Sequence, residues 1–210
     1  MIPRLHAVTD DGILRRNGFL DVARSVMASG GAGLAFHLRG PNSPGRFLFH
    51  LAEALAASAE TSGSLLIAND RVDVALCLGL SGVHLGQRSL PPPAARGLLG
   101  PDRLLGLSVH GIDEVPEEAK EELDYLIVGT IFSSDSHPDG PLGGTKRIRA
   151  VAGVTELPQI AIGGMNAGNA AEVMSAGAHG VAVRGAIWEA GDPALATREL
   201  LDALEEGNHS

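Results

Sequence analysis

Several polar side chains stand where apolar runs of this sequence stop. His37 and Arg39 close GLAFHLR, Asn69 and Asp70 close SLLIAND, and Ser108 and His110 close LLGLSVH. The run YLIVGTIF passes into SSDSHPDGPLGG, which brings Ser134 and Ser136. Histidine suits proton transfer, because an ordinary pKa near about 6.5 lets one group take and return a proton at neutral pH. His37 and Arg39 are two residues apart in an extended run, so they share a face. On that face Arg39 suits bidentate binding of a carboxylate, and His37 suits proton transfer or the orientation of a ligand.

Two later stretches suit a different task. In QIAIGGMNAGNAAEV the pair Gly163 and Gly164 follows a strand and precedes a helix, and in GVAVRGAI Arg184 and Gly185 repeat the arrangement. Glycine lets the backbone approach an anion, and the free N–H groups of a helix start carry partial positive charge. These loops are expected to bind a phosphate, with Arg184 adding donors. Among eight histidines and one cysteine there is no H-x-x-x-H or C-x-x-C spacing, so no zinc site is expected. Cys77, inside VALCLGL, is expected in the core.

These residues need a scaffold that gathers strand ends. Short apolar runs alternate with stretches of helical length, the sign of βα units around a parallel sheet. Eight strand runs (RLHAVTD, GLAFHLR, SLLIAND, GVHLGQ, LLGLSVH, YLIVGTIF, QIAIGG and GVAVRG) predict an α/β fold, one (β/α)₈ barrel over residues 1–210. Helices are expected over FLDVARSVMAS, RFLFHLAEALAASAE, VDVALCLG, PPPAARGLLG, DEVPEEAKEEL, IRAVAGV, NAGNAAEVMSAG and PALATRELLDALEE. Such barrels place their sites at the C-terminal ends of the strands, with phosphate loops after strands seven and eight. A formal charge of −9 argues against a nucleic-acid partner, and no apolar run approaches the roughly 20 residues of a membrane span. With a lone cysteine and no signal core, the expectation is a cytoplasmic protein. A small-molecule partner is expected, and a homo-oligomer is left open.

The stretches LHAVTDD, HLR, LIANDRVDVALCLGLSGVHLGQ, LGLSVH, DYLIVGTIFSS, QIAIGGMNAGN and AGAHGVAV resemble, in order, the superfamily of thiamine phosphate synthase and thiazole tautomerase. The synthase joins a hydroxymethylpyrimidine diphosphate to a thiazole phosphate. Its Q-x-R-x-K reads here His37-Leu38-Arg39-Gly40-Pro41. Its second Mg²⁺ aspartate, in G-Q-x-D, falls on Ser89 beside Arg88, while Asp70 keeps the first. Its F-P-T-x-T-K reads Phe132 to His137.

The H-x-R of residues 37–39, LHAVTDD and Ser108-Val109-His110 look closer to the tautomerase. That resemblance implies an isomerase converting a carboxylated dihydrothiazole phosphate to its aromatic tautomer without a metal. His110 would be the acid/base and His37 a second proton carrier. Arg39, Asn69, Ser108, Ser134, Ser136, Gly163, Gly164, Arg184 and Gly185 would hold substrate. The alternatives are the synthase itself, with Mg²⁺ at Asp70, or a non-catalytic binder of thiazole or thiamine phosphate. His84 is expected to be structural, and His6, His50 and His179 have no expected chemistry. Gly140 to Gly144 is the segment expected to move.

Overall fold

The computed structural model describes residues 1–133 and 142–206. Eight strands form a closed parallel barrel in chain order: β1 (Leu5–Val8), β2 (Leu34–Leu38), β3 (Leu65–Asn69), β4 (Gly82–Leu85), β5 (Leu104–Val109), β6 (Tyr125–Val128), β7 (Gln159–Ile162) and β8 (Gly180–Val183). The (β/α)₈ fold read from the sequence is therefore the fold observed. The outer layer holds α1 (Asp11–Leu14), α2 (Phe19–Gly30), α3 (Gly45–Ser62), α4 (Val72–Leu78), α5 (Pro92–Leu99), α6 (Gly144–Ala152), α7 (Ala170–Met174), α8 (Gly185–Trp188) and α9 (Pro193–Glu206).

The helices form because their apolar residues recur on one face. α3 buries Leu48, Ala52, Leu55 and Ala59, spaced by four, three and four residues, and it stops where Gly63 takes the left-handed conformation at φ 77. Burying a leucine such as Leu55 stabilises by about 1.5–3 kcal/mol, and Leu55→Ala would cost about 2–5 kcal/mol. The helix expected over DEVPEEAKEEL is instead two 3₁₀ segments, Ile112–Glu114 and Glu117–Glu122. Pro116 has no N–H to donate and disfavours helical geometry at Val115, which is extended at ψ 111. Cys77 corrects a second expectation. α4 buries Val72, Val74 and Ala75, which leaves the cysteine exposed on its outer side.

Two apolar clusters follow from strand alternation. The larger fills the space between sheet and helices and includes Leu5, Ala7, Phe36, Leu38 and Leu126. The smaller includes Val8, Tyr125, Ile127, Ile160 and Ala182, residues of the opposite parity, and these fill the barrel interior. His6, His37, Asn69, His84 and Ser108 share that inward parity by strand register. The barrel axis is thus part polar, which sequence periodicity alone did not indicate.

Candidate active site

The interior is built in levels. His6, His37 and His84 are 1%, 0% and 2% exposed, so all three lie below the mouth. His6 Nε2 is 3.1 Å from Pro3 O, and His6 Nδ1 is 2.8 Å from His37 Nε2. His37 Nδ1 is 3.0 Å from Asn69 Oδ1. On the other side of His37, His84 Nε2 is 2.8 Å from Ser108 Oγ. Tyr125 packs against both His6 and His84, with ring centroids at 5.3 and 5.6 Å. Gly106 makes room for it, since a Cβ there would lie 2.2 Å from Tyr125 Cζ.

Burial sets the electrostatics of this layer. Desolvation pushes the His37 pKa down to about 4, against a smaller opposing effect of the bond with Asn69. Desolvation likewise holds His6 and His84 well below the usual histidine range, helped by the neighbouring His37. The expectation that His37 carries a proton to substrate is therefore corrected. Its ring is buried and both nitrogens are engaged, Nε2 with His6 and Nδ1 with Asn69 at the end of β3.

Above this level the strand ends form the mouth. Thr9 Oγ1 accepts from Arg39 N at 2.9 Å and lies within hydrogen-bonding distance of the His37 and Arg39 carbonyls, which fixes the backbone under Arg39. The Arg39 guanidinium makes no hydrogen bond or ion pair among the described residues, and its charge reaches His84. Asp70 holds the left-handed conformation at φ 64, a region that asparagine and aspartate tolerate better than most residues. Its Oδ1 accepts from Gly86 N at 2.8 Å and from Ser89 Oγ. Its Oδ2 has no described donor.

His110 is exposed at the end of β5. Its Nδ1 stands 3.0 Å from Gln87 Nε2 and 3.1 Å from Glu114 Oε2, and its backbone N–H donates to the same Glu114 oxygen at 2.8 Å. Partial burial opposes ionisation of Glu114, but the bonds from His110 and Gln87 outweigh it and hold the carboxyl below its usual range. Gln87 and Glu114, together with Gly86, Ser89, Leu90, Leu107 and Ser108, line a cleft of about 400 Å³. A cleft of about 460 Å³ lies at the opposite end of the strands, where Arg96 is tied to Asp124 and to the Glu122 and Arg103 carbonyls. The smaller cleft is the one that meets the strand C-termini.

The glycine loops behave differently from one another. Gly163 and Gly164 have φ of 104 and 62, and a Cβ on them would lie 2.5 Å from Thr130 Cγ2 and 2.4 Å from Ser133 O. Ile131 N donates to Ile162 O and Phe132 N to Gly163 O, so the seventh loop is packed against the segment after β6. The amides of Gly163, Gly164 and Gly185 donate to no described acceptor. Arg184 is committed elsewhere: Nη1 donates to Asp10 Oδ2 at 2.7 Å and Nη2 reaches Glu189 Oε1 at 3.5 Å. That corrects the expectation of a free donor fork. Ser108 is held by His84, and Ser134, Ser136 and the segment from Gly140 to Pro141 lie outside the described residues. No cluster of three or more histidine, cysteine or acidic side chains able to hold a metal occurs among the described residues. No described helix is long and apolar enough to cross a membrane.

Sequence reasoning assigned no chemistry to His6 and no role to Tyr125, Asp10 and Glu114. Parity was the available signal for the first and third, since His6 and Asp10 share the parity of the inward Val8. Glu114 carried none.

The family model described as thiamine monophosphate synthase matches residues 5–187. The thiamine-phosphate synthase of Roseiflexus castenholzii is 39% identical over 203 residues, 96% of this chain and 88% of that protein. The thiamine-phosphate synthase of Laribacter hongkongensis is 42% identical over 188 residues, 88% and 86% of the two chains. A solved thiamine phosphate pyrophosphorylase from Pyrococcus furiosus superposes with a TM-score of 0.82 at 30% identity, covering 97% of this chain and 96% of that one. The two curated relatives carry the synthase name and none of the three is named a tautomerase, which overturns the tautomerase reading drawn from His37-Leu38-Arg39 and Ser108-Val109-His110.

Proposed function

The chain belongs to the thiamine monophosphate synthase family, and on that premise we propose that it is a thiamine-phosphate synthase, a transferase. It would join a hydroxymethylpyrimidine diphosphate to a thiazole phosphate. A bond forms between the thiazole nitrogen and the pyrimidine methylene carbon, the bond from that carbon to the diphosphate oxygen breaks, and diphosphate leaves. The observation that carries the reading is the similarity over nearly the whole chain to proteins named for this activity.

The mouth supports the assignment of roles. Arg39, unpaired among the described residues, suits the diphosphate, since a guanidinium offers a planar fork of donors to phosphate oxygens. The amides of Gly163, Gly164 and Gly185 suit the phosphate of the thiazole partner. The cleft beside Leu107 and Ser108 has the mixed apolar and polar lining that a small heteroaromatic ring needs. Asn69 at the rim suits recognition of that ring's polar edge. His110 suits a role in orienting ligand or leaving group beside Gln87 and Glu114.

Magnesium fits the donor set. The ion is typically held by one or two carboxylates together with substrate phosphates and waters. Asp70 supplies one carboxylate, and its open Oδ2 and the adjacent Ser89 hydroxyl are hard oxygen donors. Bound there, the ion would neutralise charge on the departing diphosphate. With Ser89 in place of a second carboxylate, the substrate's own phosphates would supply most of the remaining coordination.

The test is turnover of the purified protein with both substrates, with and without Mg²⁺, followed by thiamine phosphate and diphosphate release. Mg²⁺-dependent formation of both products supports the reading. Binding of thiamine phosphate without turnover of the two precursors would refute it.

A further inference from the structure

The geometry points to His6 and His37 as positioning residues: their linked tautomers turn the amide of Asn69 so that its carbonyl oxygen faces the mouth as an acceptor. The inference rests on the mouth being the aminopyrimidine diphosphate site, and it deepens that reading. It follows from counting protons along the buried chain Pro3 O, His6, His37, Asn69.

Pro3 O can only accept, so the proton of His6 belongs on Nε2, 3.1 Å away. A neutral His6 then has a bare Nδ1. That nitrogen needs a donor, and the one at 2.8 Å is His37 Nε2. A neutral His37 protonated on Nε2 has a bare Nδ1, which in turn needs a donor from Asn69. With Asn69 Oδ1 toward His37, two acceptors flank the two rings, and three protons are required on two imidazoles. That is a buried cation in a layer where His6 and His37 are 1% and 0% exposed. Exchanging the two ends of the amide leaves its outline unchanged and gives all four ring nitrogens and Pro3 O a partner without charge, leaving Asn69 Oδ1 free for a ligand. The burial that lowers the basicity of both rings favours the same neutral solution.

A main-chain carbonyl near the start of β1 thereby fixes what a side chain at the end of β3 offers to a ligand. Asn69, 8% exposed, would accept from a donor such as the exocyclic amino group of an aminopyrimidine, and would not donate to phosphate. This separates its role from that of neighbouring Arg39.

The experiment has two arms. In ¹⁵N-histidine NMR of the wild-type protein at pH 7, both rings should be neutral with the proton on Nε2. A His37 protonated on Nδ1, or an imidazolium at either position, would overturn the relay. In the second arm His6→Phe keeps an aromatic ring beside Tyr125 and removes the acceptor for His37. Affinity for the aminopyrimidine alcohol, which carries no diphosphate, should fall about tenfold, roughly the worth of one hydrogen bond. Affinity for inorganic diphosphate should stay within about twofold. Equal losses for the two probes, or no loss for the alcohol, would overturn the inference, and if the variant does not fold the wild-type tautomers decide it. The first arm needs no turnover. Expected tautomers in a protein without synthase activity would therefore sink the functional reading and leave the relay standing.

Discussion

Arg184 Nη1 donates to Asp10 Oδ2 at 2.7 Å, an ion pair that joins the end of the last strand to the end of the first. It lies on the seam where the barrel closes, and Asp10 also caps α1 by accepting from Ile13 N at 2.9 Å. One carboxylate therefore holds both a helix start and the closure of the sheet.

That double role gives a graded prediction. Asp10→Ala loses cap and pair and should cost about 1–2 kcal/mol, whereas Asp10→Asn keeps a capping oxygen and should cost less than about 1 kcal/mol. Partial burial opposes ionisation of Asp10, but the Ile13 N–H and Arg184 outweigh it and lower its pKa. A lowered carboxyl pKa stabilises the fold above the unfolded value near about 4, and that contribution is lost as pH falls through the folded value. Urea titrations should show wild type and Asp10→Asn converging below that range.

The buried histidines act with the opposite kind of group. His37 has its pKa lowered to about 4, and His6 and His84 are lowered as well, so the unfolded chain binds more protons below about pH 6.5. Stability should be full above pH 6.5 and fall toward pH 4, with up to about 1.4 kcal/mol per pH unit from each ring. Denaturant unfolding at pH 7, 6 and 5 measures the slope. A flat profile would contradict neutral burial of all three.

Gly164→Ala should fail for reasons of space. Its φ of 62 and the 2.4 Å approach to Ser133 O leave no room for a methyl group, whereas Gly177, at φ 102, has nothing within 4 Å. Gly177→Ala should cost only backbone strain, about 1–3 kcal/mol. Gly164→Ala should cost more and should raise KM for the thiazole phosphate. Melting curves and steady-state kinetics on the two variants compare them directly.

Asp70 can be tested without disturbing its backbone. Asparagine tolerates the left-handed conformation, so Asp70→Asn isolates the charge, while Asp70→Ala adds strain. Asp70→Asn should lower activity by at least about tenfold and raise the Mg²⁺ concentration for half-maximal rate, with thermal stability little changed. An unaltered Mg²⁺ dependence would remove Asp70 from the metal site.

The sequence by itself determined the barrel. Eight buried strands need eight apolar runs, helices need a 3.6-residue stripe, and both periods are local properties of the chain. It also placed Arg39, Asn69, His110 and the glycine loops at strand ends, because the ends of parallel strands meet at one mouth. What periodicity left undecided was depth and partnership. Whether His37 is a surface acid or a sealed link depends on His6 from β1 and Asn69 from β3 arriving beside it, 31 and 32 positions away in sequence. Whether Arg184 is free for a ligand depends on Asp10, 174 positions away. Burial and hydrogen-bond partners are set by which strands close next to one another, and only the tertiary structure brings those distant residues within reach.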